Sequence, residues 1–489
     1  MRYDYAVIGG GISGMTAALL LAKHGRRTVL IEQAPRLAPL VRGFQRDGVN
    51  FDTGFHYAGG LAPGESLHLF LRYLGLLDPL QIKAFDPVGF DRFQFADGMS
   101  FALPLGDDAI IARLARLFPT ERVAIATYLQ RLAAAAGTFP YINLDRDFTA
   151  QPTLDYVHGP SLQEVLDELF IAPRLKEIFA AHCVLHGAPP SDIPFALHAC
   201  FVGPYYRSAH GFVGGGAALV AAFETALRAA GVEILTGRAV ERILGDSNGV
   251  CGVRLVDGEE VTVAAVIATV HPASLVDLVA DKFFRPIFNK RMKQLENTTS
   301  ALIFYVACET APEWLLRSNL LMFDAAPGGM GTGPDDGLLF IAGAERSADP
   351  SRCGGMVVIS PCAAQLTARW QESRFGGRPA DYRYFKDELS RKLLRRLQLF
   401  AECGAIRSVA LATPLTLRDY SNNPGGGLYG VKHRVGQYNP QPVTRVPNLL
   451  LAGQAVAGPG LFGTMLSAFL CCGTVLGHEQ LREELKQCS

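Results

Sequence analysis

The chain reads as α/β: a discontinuous Rossmann-like dinucleotide-binding domain carrying an inserted mixed α+β domain. Three observations predict this. The N-terminus runs a strand, Tyr3-Asp4-Tyr5-Ala6-Val7-Ile8, into Gly9-Gly10-Gly11-Ile12-Ser13-Gly14 and then a helical stretch. A second glycine-to-helix pattern followed by a strand opens at His210, and an uncharged strand and helix return near residues 449–476. Between them lie long segments of different texture that carry no glycine fingerprint.

Each element has a local reason. A strand, glycine turn and helix in that order form a pyrophosphate cradle, because the backbone is approachable at Gly9 and Gly11 and the helix N-terminus offers unpaired N–H groups. Gly14 lets the helix pack close to the strand. Ile12, Met15, Leu19 and Ala22 recur at helical spacing, Gly25 ends the helix, and residues 28–31 read as the second strand. Glu32 follows at the strand end, where a carboxylate accepts hydrogen bonds from a ribose hydroxyl. The complete βαβ context favours a ligand cradle over an empty turn.

Residues from about 67 to 200 look helix-rich, with proline and charged breaks. The run Gly214-Gly215-Gly216 then opens a helix over 217–230, which Gly231 caps before a strand at 232–235. Strands at 250–256 and 260–263 flank Asp257-Gly258, a hairpin signal, and 264–270 reads as a further, buried strand. No ribose-binding acid follows the strand after Gly216, so this second glycine run reads as a turn packed near the first cofactor. One dinucleotide site leaves the redox partner unspecified. From 298 to 402 the texture changes again, with a strand-like 301–306 and a basic helix around 391–396. The expected division is therefore 1–66, 205–297 and 403–489 for the cofactor domain, and 67–204 with 298–402 for the substrate or lid domain.

Composition narrows the partners. A chain of 489 residues exceeds one core, which predicts two intertwined domains. Forty-six basic and 46 acidic residues give zero formal net charge, with no basic run interleaved with aromatics, so nucleic acid is not an expected partner. Ten cysteines lie between Cys183 and Cys488 without CxxC or zinc-type spacing, which suits a reduced compartment. The first strand begins at residue 3, leaving no room for a cleavable signal, and cytoplasmic location is expected. Residues 446–477 carry no charge, yet Gly458-Pro459-Gly460 interrupts them. The remaining helix, about 461–476, spans roughly 24 Å against a ~30 Å hydrocarbon core, so a buried core helix is expected rather than a span. His182 and His186 stand at the spacing of two ligands on one helical face, but no third ligand is adjacent and no HExxH glutamate is present; no metal is expected.

Three separated stretches carry a family resemblance. The N-terminal fingerprint, the run Phe51-Asp52-Thr53-Gly54-Phe55-His56-Tyr57, and the C-terminal Asn448-Leu449-Leu450-Leu451-Ala452-Gly453-Gln454 through Gly458-Pro459-Gly460-Leu461-Phe462-Gly463 resemble the carotenoid desaturase, carotenoid isomerase and retinol saturase superfamily. Thr413-Pro414-Leu415-Thr416, Gly427-Leu428-Tyr429-Gly430 with His433, and Ala468-Phe469-Leu470-Cys471-Cys472 look most like the retinol saturase branch. The resemblance implies FAD as cofactor. Gly9, Gly11, Ile12, Ser13 and Gly14 would hold its pyrophosphate, Glu32 the adenosine ribose, and the backbone of Val240 the adenine. Gly453 and Gln454 would lie beside the ribityl arm, and the helix beginning near Leu461 would aim its N-terminal dipole at the isoalloxazine. Where the family usually has a Gly-Gly pair, this chain has Ala38 and Pro39, with Arg42 and Gly43 as replacements.

The resemblance further implies an FAD-dependent oxidoreductase acting on an apolar polyene or isoprenoid lipid, with saturation of a C=C bond favoured. Desaturation and redox-neutral cis–trans isomerisation stay open. A flavoprotein electron carrier or redox sensor is the non-enzymatic alternative, against which the large inserted modules argue. His56, Tyr57 and Tyr429 are the candidate catalytic residues; a general acid among them would protonate one carbon as hydride reaches its neighbour. Ordering of FAD or interior packing is the competing role for these polar side chains. The electron donor or acceptor is unidentified, and peripheral attachment to the inner face of a membrane is left open.

Overall fold

The strand Tyr3–Ile8 lies inside a parallel sheet, between Thr28–Glu32 and Glu260–Ala268, and Glu233–Thr236 and Leu449–Leu451 flank these two. The computed structural model describes residues 3–148, 156–280, 283–323, 337–397 and 404–488. Both faces of this sheet are covered, which is why its strands read as near-continuous apolar runs. Val7 and Leu30 face a cluster shared with the helix Ile12–Lys23, whereas Ala6, Ile8, Val29 and Ile31 face one completed by Ile243, Leu275 and Phe284.

One strand differs from expectation. Residues 260–263 and 264–270 do not form two strands; Glu260–Ala268 is continuous. Its first half alternates between exposed and buried and pairs antiparallel with Gly249–Leu255, while its second half is buried on both faces and pairs parallel with Tyr3–Ile8. The change of period inside one strand marks where it passes from a solvated hairpin into the covered sheet.

The uncharged C-terminal segment folds as expected from its length. Gly460–Leu476 is a helix, and Met465, Leu466 and Phe469 in it are fully or almost fully buried. It packs along Ile12–Lys23, where Cys472 Sγ lies 3.8 Å from the Ala17 carbonyl oxygen. Among the described residues no helix is long and apolar enough to cross a membrane.

A second sheet runs Ile406–Ala412, Ser300–Cys308, Cys353–Cys362, Leu339–Arg346, Asn319–Phe323, Asp91–Phe95 and Ser100–Leu103 in spatial order. All neighbours are antiparallel except Asn319–Phe323 beside Asp91–Phe95. The hairpin Phe44–Arg46 and Val49–Phe51 joins it through Asn50 and Glu345. This sheet therefore takes strands from 1–66 and 403–489, segments assigned by sequence to the cofactor domain; the expected junction at 402–403 lies outside the described residues. The segment 67–204, expected as helix-rich, also supplies Asp91–Phe95 and Ser100–Leu103. Period-two burial in Asp91–Phe95 and Gly98 at φ +86° make that hairpin, a signal short enough to be masked by the surrounding helical texture.

Candidate functional site

The N-terminal glycines serve different ends. Gly9 has φ +105°, and a Cβ on Gly14 would collide with the Gly9 carbonyl oxygen. A Cβ on Gly11 would meet nothing within 4 Å. Gly14 is thus demanded by helix packing, whereas Gly11 opens onto free space before the helix N-terminus. Ser13 Oγ, one residue into the helix, is buried with no hydrogen-bond partner among the described residues. Open space, an unpaired hydroxyl and helix N–H groups are what a pyrophosphate requires, so these residues fit a dinucleotide.

Glu32 sits at the end of its strand, but its carboxylate is already engaged. The N–H groups of Gly10 and Ala34 donate to its two oxygens at 2.6 and 2.7 Å. It braces the glycine turn, and each oxygen retains a further lone pair for a ribose hydroxyl. Gly237 N–H donates to the Ala34 carbonyl and Arg238 N–H to that of Glu32, bringing the chain leading to Val240 against the same edge. Ala38 takes the left-handed conformation, φ +48°. Its N–H donates to the Gly10 carbonyl at 2.9 Å, and its carbonyl accepts from Val41 and Arg42. Arg42 reaches back to the Leu37 carbonyl and pairs with Glu224, while Gly43 has φ +70°. From the far end of the chain, Gly453, φ +112°, donates its N–H to Ser467 Oγ at 2.8 Å. The Gln454 carbonyl lies 2.8 Å from His433 Nε2, and Leu461 occupies the first turn of Gly460–Leu476.

Next to this edge lies a cavity of about 530 Å³ whose wall includes Arg42, Gly43, Asp52, Phe55, His56, Lys83, Phe85, Phe212, Asn319 and Glu345. The second glycine run closes one side of it. A Cβ on Gly215 would collide with the Asp52 carboxyl and one on Gly216 with the Val41 carbonyl, so the chain can approach closely enough for Gly216 N–H to donate to Asp52 Oδ1 at 2.7 Å. Burial nevertheless pushes the Asp52 carboxyl up to about 7. Glu345 accepts from Lys83 Nζ at 2.7 Å and from Gly214 N–H at 2.9 Å.

The three candidate catalytic residues are placed differently. His56 is in the cavity wall, and burial holds its imidazole down to about 4, so it is neutral at neutral pH. Tyr57 is buried behind it, edge-on to Tyr205, and donates its hydroxyl to Asp91 Oδ2 at 3.0 Å. Burial, then the Asp91 charge, raises that phenol well above its ordinary value. Tyr429 is outside the cavity wall; its hydroxyl donates to the Val184 carbonyl at 3.2 Å, and burial pushes it up to about 12.

The chain's sequence matches the flavin-containing amine oxidoreductase family over residues 12–475. The chain belongs to this family. This FAD-dependent oxidoreductase is 26% identical to the all-trans-retinol 13,14-reductase of Macaca fascicularis over 537 residues, covering 99% of the chain and 87% of the relative. It is also 26% identical to the hydroxyneurosporene desaturase of Rubrivivax gelatinosus, covering 96% of the chain and 93% of the relative. Among solved structures, an oxidoreductase from Methanosarcina mazei shares the fold with a TM-score of 0.67 at 16% identity, over 96% of this chain and 99% of that one.

In this flavoenzyme the two histidines spaced as metal ligands diverge. The segment Ala181–Leu185 is a 3₁₀ turn with three residues per turn, so positions four apart leave a common face. His182 Nε2 lies 2.9 Å from Asp91 Oδ2 and its Nδ1 lies 3.0 Å from the Tyr206 hydroxyl. His186 instead meets His198, Nε2 to Nδ1 at 3.1 Å. A different group, Cys183, His186 and His198, brings its donor atoms within 4.8 Å of one another, without His182. Asp91 and Asn319, which sequence reasoning passed over, are joined by a 2.8 Å hydrogen bond from Asn319 Nδ2. Their signal was a polar residue opening each strand: Asn319 ahead of an apolar run, and Asp91 at the buried positions that Phe93 and Phe95 continue.

Proposed function

We propose that this oxidoreductase saturates one carbon–carbon double bond of an apolar polyene or isoprenoid lipid. The observation that carries the reading is the likeness to a retinol 13,14-reductase along 99% of the chain, which takes in both sheets and the residues that line the cavity. The aromatic wall of Phe55, Phe85 and Phe212 suits a conjugated chain and keeps water from it.

Reduced FAD, when bound, supplies a hydride for one of the two carbons. Gly9, Gly11, Ile12, Ser13 and Gly14 would hold the pyrophosphate, Glu32 the adenosine ribose, and Val240 the adenine through its backbone. Arg42, Gly43, Gly453 and Gln454 bind along the arm, and Leu461 stands where the helix N-terminus favours negative charge. His56 is uncharged at neutral pH, so a proton given by one ring nitrogen to the second carbon is replaced at the other from solvent water. Tyr57 and Tyr429 have committed hydroxyls and position the wall. An apolar substrate dissolves in bilayers, which favours a cytoplasmic enzyme attached peripherally to the membrane; a separate reductant completes the cycle.

The test is anaerobic mixing of chemically reduced enzyme with all-trans-retinol. The flavin absorbance returns as the product gains two hydrogens. A product of unchanged mass with the flavin still reduced overturns saturation in favour of isomerisation, and bleaching of the oxidised enzyme by the polyene does so in favour of desaturation.

A further inference from the structure

One face of the second sheet is largely apolar. Phe93, Phe95, Leu321, Phe323, Phe340 and Ala342 on it belong to one core cluster. Asp91 and Asn319, register partners on adjacent parallel strands, interrupt it, and both are fully buried. Asp91 Oδ2 accepts from the Tyr57 hydroxyl and faces His182 Nε2, while Oδ1 accepts from Asn319 Nδ2.

That last bond orients the amide. The carboxylate takes donors, so the Asn319 NH₂ turns toward Asp91 and Oδ1 turns away from it. Oδ1 is buried and has no partner among the described residues, a costly state unless a ligand supplies a donor. Several buried polar atoms are unpartnered, but Asn319 Oδ1 alone among them belongs to a residue lining the cavity of about 530 Å³. The hydrogen bond to Asp91 polarises the amide and strengthens Oδ1 as an acceptor.

We infer that Asn319 recognises the polar end of the substrate: Oδ1 accepts a hydrogen bond from a terminal hydroxyl of the polyene, and Asp91 is the positioning residue that holds the amide in this orientation. The inference rests on the polyene reading above and narrows it from hydrocarbons to polyene alcohols. Specificity follows from the unpaired acceptor, because an analogue without the donor leaves it unpaired in the complex.

The FAD-loaded enzyme is titrated with all-trans-retinol and with its methyl ether, which keeps the polyene and loses the donor, and binding is read from the perturbed flavin spectrum. The native enzyme binds the alcohol about tenfold more tightly. Asn319→Leu binds the ether as before and prefers the alcohol by less than about twofold. Tyr57→Phe, which also takes a donor from Asp91 but leaves Oδ1 in place, keeps the preference. Equal binding by the native enzyme, or an undiminished preference in Asn319→Leu, overturns the assignment of Asn319 while leaving the polyene reading intact. Failure of both compounds to bind the native enzyme overturns the polyene reading and this inference with it.

Discussion

Gly11 and Gly14 stand three residues apart and are glycine for opposite reasons. At Gly14 the protein itself occupies the place of a side chain; at Gly11 only a ligand would. Gly11→Val should therefore leave the fold intact and abolish flavin binding, giving native circular dichroism with the 450 nm absorbance lost. Normal flavin content in that variant would remove the pyrophosphate from this turn. The same contrast explains Ala38. Its left-handed backbone is strained for alanine, and three hydrogen bonds, one to the Gly10 carbonyl and two to its own carbonyl, over-determine it. The glycine fingerprint was readable from type and order alone, whereas the substitution at Ala38 became intelligible only through its partners.

At the scale of elements, the helix Gly460–Leu476 shows how a membrane-like composition is resolved by packing. Phe469 is fully buried and stacks on Phe70 at 4.3 Å, with Tyr141 5.9 Å away. Phe469→Ala opens a cavity that these rings cannot close, at a cost of about 3–5 kcal/mol. A denaturant titration of the purified holoenzyme should show the midpoint lowered accordingly; a loss below about 1 kcal/mol would mean the helix is not a core element. The length of the uncharged run and its Gly-Pro-Gly interruption were enough to expect this. The 3₁₀ turn at Ala181–Leu185 was not foreseen, because a four-residue spacing carries no label distinguishing three residues per turn from 3.6.

Across the whole molecule, the cofactor edge joins residues 9–14, 32–43, 237–240 and 453–461, segments separated by most of the chain. FAD bound there would tie these segments together and stabilise only the folded arrangement, by about 2.7 kcal/mol at one hundred times its dissociation constant. Removing FAD should therefore raise amide exchange in 9–14, 34–43 and 453–463 together. The strands Ser300–Cys308 and Cys353–Cys362, at the middle of the second sheet, should keep their protection. Exchange mass spectrometry of the holo and deflavinated forms checks this, and uniform loss across both sheets would refute a locally organised cofactor edge.

Chain order and local pattern alone determined the strand–helix–strand unit from Tyr3–Ile8 to Thr28–Glu32, the glycine cradle with Glu32 behind it, and the buried C-terminal helix. These depend on neighbours within a few residues, so periodicity and turn chemistry report them directly. Tertiary structure alone decided that Ile406–Ala412 and the hairpin at 44–51 join the second sheet, because strand pairing between residues hundreds of positions apart leaves only short alternating runs in sequence. It also decided the fate of the polar residues. His56 entered the cavity wall, His182 turned to Asp91, His186 turned to His198, and Asn319 was left with one unpaired atom beside the cavity. The physical reason is that a polar side chain's role depends on which distant donor or acceptor burial sets against it, and that pairing exists only once both sheets have closed.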